Sequence, residues 1–125
     1  MAITVSIVED NDQLRGTLAR VISRTEGFVC VGQHATAEAA LENVPREKPN
    51  VVLMDINLPG LNGVECVRRL KQLLPETQVI MLTAYEDTEN IFNSLAAGAS
   101  GYMLKRTPRA ELLEDRKSTR LNSSH

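Results

Sequence analysis

The chain has 125 residues, of which 42% are hydrophobic and 24% are charged, and its formal net charge is −2 at pH 7. This length and composition suit one globular domain with a single core, and the apolar runs are far shorter than the roughly 20 residues that span a bilayer. The start lacks the basic region of a signal peptide, and the chain has no basic stripe for nucleic acid. We therefore expect a cytoplasmic protein that binds neither membranes nor nucleic acids directly.

The first part of the chain alternates between strand and helix patterns. Residues 3–8 are mostly β-branched and predict a first strand. A helix that ends before Gly27 is predicted from apolar residues at helical spacing, namely Leu14, Leu18, Val21 and Ile22. Residues 28–32 predict a second strand. Thr36 is suited to cap a second helix, whose predicted inward face is Ala40, Leu41 and Val44.

The alternation continues through the rest of the chain. Residues 51–54, 78–83 and 101–104 predict the third, fourth and fifth strands. A helix begins at Gly63, ends at Pro75 and has an apolar face made by Val64, Val67, Leu70 and Leu74. Another is predicted after the fourth strand, with Thr88 as its cap, Gly98 as its end and an inward face of Ile91, Leu95 and Ala96. Pro108 suits the first turn of a last helix.

Five strand patterns therefore alternate with five helix patterns, and the middle strands are apolar on both faces. This arrangement predicts an α/β fold in which helices cover both faces of a doubly wound parallel sheet. Ligand sites in such folds lie at the carboxyl ends of the strands, where the strand order reverses. The residues that follow the predicted strands are therefore the candidates for function.

Polar residues with complementary chemistry follow four of these strands. Glu9 and Asp10 follow the first strand, Asp55 the third and Lys105 the fifth, while Thr83 ends the fourth. Asp is common in turns, so one such residue would indicate little. Because the carboxyl ends of parallel strands meet at one edge of the sheet, we expect three carboxylates, a hydroxyl and an ammonium to converge there.

Three carboxylates packed this closely cannot all stay ionised without a compensating change. Two unit charges about 4 Å apart repel by roughly 4 kcal/mol at an effective dielectric constant near 20, so either a pKa rises or a cation binds. Carboxylate oxygens suit Mg²⁺, and Asp10 and Asp55 could hold it with Glu9 adjoining. Lys105 and Thr83 could then bind phosphoryl oxygens, with Asp55 as the nucleophile. The pattern indicates phosphoryl transfer.

The segments that carry this chemistry are VEDN, LMDINLPGLNG, LTA and GYMLK. Together they resemble the receiver domain of two-component response regulators, over residues 1–114. The resemblance implies a flavodoxin-like five-stranded parallel sheet in the strand order 2-1-3-4-5. It also implies a regulatory phosphoacceptor rather than an enzyme, with a sensor histidine kinase as partner and homodimer formation on phosphorylation.

The resemblance also assigns roles to individual residues. Asp55 would be the phosphoacceptor, and Mg²⁺ would be held by Glu9, Asp10, Asp55 and the backbone carbonyl of Asn57. Three further residues would bind the phosphoryl group or switch with it, namely Thr83, Lys105 and Tyr102. Two residues would tune the hydrolysis of the aspartyl phosphate, namely Asn57 and Tyr85. The segment GYMLKRTPRAEL resembles receivers fused to LuxR-type helix-turn-helix domains, which implies a lost DNA-binding output and control of transcription.

The same fold class allows three alternative functions. In a Mg²⁺-dependent phosphohydrolase with an aspartyl nucleophile, residues 10–12 would supply the D-x-D motif. The short chain, the absence of a cap insertion and Leu14 in place of a small residue weigh against it. A flavin or nucleotide binder would place an anionic phosphate against the acidic segment EDND without a glycine-rich loop. An interaction module that works without phosphorylation would have a broken acidic site, and here the acidic residues are all present.

The last residues of the chain need a separate interpretation. Residues 115–125 have the sequence DRKSTRLNSSH, which resembles the translation of a DNA adapter used in sequencing libraries. We interpret this segment as non-native and assign the domain to residues 1–114. The last helix would then keep only Leu112 and Leu113 as apolar anchors, so we expect it to fray.

Several reactive or charged residues have plainer interpretations. Cys30 and Cys66 lie in apolar patterns without a CxxC motif, which favours free thiols. His34 has no carboxylate or cysteine at a metal-ligand spacing and is predicted to lie in a loop. Three basic residues of one helix are predicted to form a solvated face, namely Arg68, Arg69 and Lys71.

Overall fold

The computed structural model describes residues 2–84 and 88–105. The strands are β1 (Ile3–Val8), β2 (Phe28–His34), β3 (Val51–Asp55), β4 (Gln78–Thr83) and β5 (Gly101–Leu104). The helices are α1 (Asp12–Arg24), α2 (Ala37–Glu47), α3 (Gly63–Leu73) and α4 (Thr88–Ala97). The strands form one parallel sheet in the order β2-β1-β3-β4-β5. The predicted fold class and strand order are confirmed, while the predicted helix at Pro108 lies outside the described residues.

The two faces of the sheet carry separate cores, as expected for strands that are apolar on both sides. In β3, Val52 and Met54 pack against α2 and α3, whereas Leu53 points to the opposite face and packs against α1. Successive side chains of a strand point to opposite faces, so one continuous apolar run serves both cores. Among the described residues, no helix is long and apolar enough to cross a membrane.

Side-chain caps start three of the described helices. The side-chain oxygens of Asn11, Thr36 and Asn62 each accept a hydrogen bond from the backbone N–H three residues ahead, at 2.9 to 3.0 Å. These bonds satisfy N–H groups that have no partner within the helix. The predicted cap at Thr36 is confirmed. The cap at Asn11 makes α1 begin immediately after Glu9 and Asp10, which holds the acidic pair at the end of β1.

Strand β2 is longer than predicted and ends at His34 instead of residue 32. Its pairing with β1 shifts between Val5 and Ser6, because Val5 pairs with Cys30 while Ser6 pairs with Gly32. The prediction that His34 lies in a loop is wrong. His34 pairs with Val8, and its Nε2 atom lies 3.0 Å from Oε2 of Glu47 in α2. This partner lies on another element, so the local pattern could not show it.

The inward face of α4 also differs from the prediction. Leu95 is 44% exposed and Ala96 is exposed, while Ser94 is buried and Ile91 is half-buried. The Ser94 hydroxyl donates to the Asn90 carbonyl at 2.8 Å, so a polar residue fits the inward position. Thr88 is the first residue of the helix rather than the residue before it.

The predicted basic face of α3 is confirmed for two of its three residues. Arg68 and Arg69 are exposed and pair with Glu65 of the same helix. Lys71 is half-buried, and its ammonium donates to the carbonyls of Pro75 and Thr77 at 2.8 and 2.7 Å. It therefore holds the turn between α3 and β4, a role that depends on carbonyls beyond its own helix.

Candidate functional site

The acidic residues predicted at the strand ends do converge. Ligand atoms of Glu9, Asp10 and Asp55 all lie within 4.8 Å of one another. Glu9 and Asp55 are buried, whereas Asp10 is exposed. The cluster thus has a buried floor and a side that opens to solvent through Asp10, which suits a site that an ion or a small anion enters from outside.

Lys105 supplies the positive charge of the site. Its Nζ atom lies 3.1 Å from Oε1 of Glu9 and 3.1 Å from Oδ1 of Asp55. The N–H of Lys105 donates to the Thr83 carbonyl at 2.7 Å, which continues the pairing of β4 and β5 beyond Leu104. The sheet itself therefore brings this ammonium against carboxylates from β1 and β3.

Backbone groups of neighbouring elements hold Glu9. Its N–H donates to the carbonyl of His34 at 3.0 Å, and its Oε2 atom accepts from the N–H of Asn11 at 3.0 Å. Its Oε1 atom is buried and accepts no hydrogen bond of normal geometry from the residues that the structure describes, although Nζ of Lys105 is 3.1 Å away. A buried carboxylate oxygen in this state can serve as a ligand for a cation.

The backbone around Asp55 is packed closely. Oδ1 of Asp55 accepts from the N–H of Asn57 at 3.0 Å, which fixes the carboxylate against its own loop. The chain returns at Gly63, whose N–H donates to the Ile56 carbonyl at 3.0 Å. A Cβ at Gly63 would lie 2.2 Å from the backbone oxygen of Asp55. Only glycine allows α3 to begin this close to Asp55.

The environment changes the pKa values of the two buried carboxyls. Burial raises the pKa of Asp55, against the opposing effects of the Asn57 N–H and of Lys105. Burial likewise raises the pKa of Glu9, with the Asn11 N–H as the main opposing contact. Burial is the main cause of both shifts, and for Glu9 the negative charge of Asp55 adds to it. A divalent cation would remove this repulsion.

The pKa values of Asp10 and Lys105 shift so that the charged form of each group is favoured. Desolvation would raise the pKa of Asp10, but its contacts with the side chains of Asp55 and Glu9 together lower it. Desolvation disfavours the charged form of Lys105, yet its contacts with Glu9 and Asp55 raise its pKa. Both shifts favour the charged form of the group, that is, the carboxylate of Asp10 and the ammonium of Lys105.

The remaining predicted residues lie at different depths. Thr83 is buried at the end of β4, one residue beyond Leu82, which pairs with Asp55. Asn57 is exposed beside Asp55. Tyr102 lies within β5 opposite Met81 and is 40% exposed. Tyr85 lies outside the described residues.

Two contacts to Glu9 were not predicted from the sequence. Asn11 both caps α1 and donates its N–H to the carboxylate, and Arg15 donates through Nη1 to the Glu9 carbonyl at 2.7 Å. An asparagine before a helix is a recognisable cap signal. The Arg15 contact had no such signal, because it depends on how α1 leaves the sheet.

Comparison with known proteins agrees with this geometry. The profile of the response regulator receiver domain matches residues 5–116. The chain is 36% identical over 112 residues to the response regulator GacA of Pseudomonas viridiflava, and 36% identical over 112 residues to the transcriptional regulatory protein DegU of Brevibacillus brevis. Each alignment covers 90% of this chain, and 52% of GacA and 48% of DegU, so the chain spans about half the length of these relatives.

A solved structure with the same fold comes from the same class of proteins. It is a LuxR-family two-component response regulator from Aurantimonas sp. SI85-9A1, with 28% identity and a TM-score of 0.85. The superposition covers 95% of this chain and 85% of that one. The sheet order, the acidic cluster and these similarities lead to one conclusion: the chain belongs to the response regulator receiver domain family.

Proposed function

We propose that this domain is the phosphoacceptor switch of a two-component phosphorelay and that Asp55 accepts the phosphoryl group. The observation that carries this proposal is the position of Asp55. Its Oδ1 atom lies 3.1 Å from Nζ of Lys105, and its carboxylate belongs to the same cluster as Glu9 and Asp10. A nucleophile, a cation-binding cluster and a phosphate-binding ammonium therefore share one opening.

Mg²⁺ is the proposed cofactor. Glu9, Asp10 and Asp55 would hold it through their carboxylates, and Asn57 through its backbone carbonyl. Hard oxygen ligands of this kind suit Mg²⁺, and the buried Oε1 of Glu9 without a normal hydrogen bond fits an ion ligand. When bound, the ion supplies neutralisation of the negative charge on phosphoryl oxygens.

The side chains of the site have distinct tasks in the transfer. Oδ of Asp55 forms a bond to phosphorus while the N–P bond of a phosphohistidine in the partner kinase breaks, and the electron pair of that bond stays on the imidazole. Lys105 pairs with Glu9 and Asp55 in the unphosphorylated chain. After transfer, its ammonium forms an ion pair with a phosphoryl oxygen instead. The hydroxyl of Thr83 donates to another oxygen.

The signal then passes to the surface formed by β4, β5 and α4. The backbone N–H of Lys105 donates to the Thr83 carbonyl. Movement of either residue therefore changes the pairing of β4 and β5 at their carboxyl ends. Exposed apolar side chains lie on this surface, namely Phe92, Leu95 and Tyr102. Phosphorylation would shift the populations of its conformations, with Tyr102 changing orientation and with Asn57 and Tyr85 setting the rate of hydrolysis.

The rest of the proposal concerns the whole protein. The relatives are about twice as long as the matched region, so we propose that the natural protein carries a DNA-binding output, acts in the cytoplasm and controls transcription. Phosphorylation would promote a homodimer. In this chain, residues 1–114 would be the receiver domain and residues 115–125 a non-native tail.

The direct test is the intact mass of the chain after incubation with acetyl phosphate and Mg²⁺. We expect a gain of one phosphoryl group that disappears in Asp55→Asn and when Mg²⁺ is removed with a chelator. Glu42→Gln removes an exposed carboxylate of α2 outside the cluster and should leave the gain intact. A gain that persists in Asp55→Asn, or rapid turnover of a generic phosphate ester, would contradict the proposal and favour a hydrolase.

A further inference from the structure

Arg15 of α1 makes a contact with the acidic site that the proposed reaction does not use. Its Nη1 atom donates to the backbone carbonyl of Glu9 at 2.7 Å, and its Nη2 atom pairs with Oδ1 of Asp12 at 2.6 Å. The side chain of Arg15 is only 18% exposed, so this guanidinium lies against the protein rather than in solvent. The fork of the guanidinium thus spans the loop between β1 and α1.

The contact completes the anchoring of Glu9. His34 accepts its N–H, Asn11 donates to its carboxylate, and Arg15 donates to its carbonyl. The Glu9 carbonyl and the N–H of Asp10 belong to one planar peptide unit. Holding that carbonyl therefore fixes the plane from which the side chain of Asp10 projects, although Asp10 itself is exposed.

We propose that Arg15 is a positioning residue for the cation site, acting through the peptide that joins Glu9 and Asp10. It does not belong to the carboxylate cluster. It restricts the loop so that the carboxylates of Glu9 and Asp10 are already in place when the ion binds, which reduces the ordering that binding requires. This inference rests on the proposed metal site.

Charge and positioning predict opposite effects for the loss of Arg15. The guanidinium is a positive charge beside a site for a positive ion, so its charge alone weakens cation binding. Neutralising Arg15 would tighten binding if charge were its only influence. Neutralising it weakens binding if the orientation of the loop is what matters. The sign of the change therefore separates the two explanations.

The experiment measures binding of Mg²⁺ alone to the full chain by titration calorimetry, without a phosphodonor. We expect Arg15→Gln to weaken binding about tenfold or more, as loss of a residue that supports metal ligands commonly does. Arg15→Lys keeps the charge but cannot span both acceptors, so it should weaken binding as well. Arg20→Gln is the matched control, because Arg20 is exposed on the same helix and its guanidinium donates to Thr17 at 3.3 Å.

Thermal unfolding without metal accompanies each titration. If Arg15→Gln does not fold, Arg15→Lys carries the test alone, because it keeps the positive charge but cannot span both acceptors, so only a positioning role predicts weaker binding. Equal or tighter binding by the folded Arg15 variants, or an equal loss in Arg20→Gln, overturns the inference. An unmodified chain that binds no Mg²⁺ overturns the proposed metal site itself, which is a different result.

Discussion

One carboxylate of α2, that of Glu47, is enclosed by residues of β1 and β2. The hydroxyl of Ser6 donates to its Oε1 atom at 2.6 Å, and Nε2 of His34 lies 3.1 and 3.0 Å from its two oxygens. Gly32 makes room for it, because a Cβ at this position would lie 2.2 Å from Oε1 of Glu47. We predict that Gly32→Ala destabilises the protein by displacing this carboxylate.

The expected loss in the free energy of unfolding follows from the polar groups that lose their hydrogen-bond partner. Ser6 is fully buried and would keep an unsatisfied hydroxyl, and His34 would lose both contacts to Glu47. A buried polar group without a partner costs about 1–3 kcal/mol. The side chain of Glu47 is 18% exposed, so water would reach part of the gap. We therefore expect a loss of about 2–4 kcal/mol in the free energy of unfolding for Gly32→Ala and for Glu47→Ala.

A double-mutant cycle under urea unfolding tests the reasoning. Once Glu47 is truncated, a Cβ at position 32 no longer meets it, so the double variant should be about as stable as Glu47→Ala alone. The expected coupling is thus about 2 kcal/mol or more, within the range for residues in contact. Glu42→Ala on the same helix is exposed and should change stability by less than about 0.5 kcal/mol. Additive losses from Gly32→Ala and Glu47→Ala would refute the proposed contact.

Three further predictions concern the site and the core. Burial raises the pKa of Asp55 in the folded chain, so its contribution to stability is greatest below the ordinary carboxyl pKa and is lost as pH rises through the folded pKa. With metal removed, Asp55→Asn should therefore unfold at a higher temperature than the unmodified chain at neutral pH, and a gain that grows toward acid pH would contradict this. Gly63→Ala should weaken Mg²⁺ binding and lower the unfolding temperature, because its Cβ would lie 2.2 Å from the Asp55 backbone oxygen; unchanged calorimetric titrations would count against that packing. Burial raises the pKa of the Cys66 thiol to about 12, so iodoacetamide should label Cys66 at pH 8 only in denaturant, and labelling of the folded chain at the same rate would disprove it.

The convergence of the acidic residues and Lys105 was predictable from the sequence, because strand ends are local features. The continuous apolar runs and the first polar residue after each of them located Asp55 and Lys105 without any knowledge of their neighbours. Parallel strands bring their carboxyl ends to one edge, so the convergence of these residues followed from the order of the elements. The distances of 3.1 Å between Lys105 and its two carboxylates agree with that expectation.

Only the tertiary structure decided which side chains support the site and which face α4 buries. The sequence alone placed Leu95 inward and His34 in a loop, whereas the structure exposes Leu95 and bonds His34 to Glu47. Each of these outcomes, like the contact from Arg15 to the Glu9 carbonyl, depends on an atom from another element. Hydrophobic periodicity shows which residues of one segment share a face. Hydrogen bonds and ion pairs between elements depend on the distances between those elements, which only tertiary packing sets.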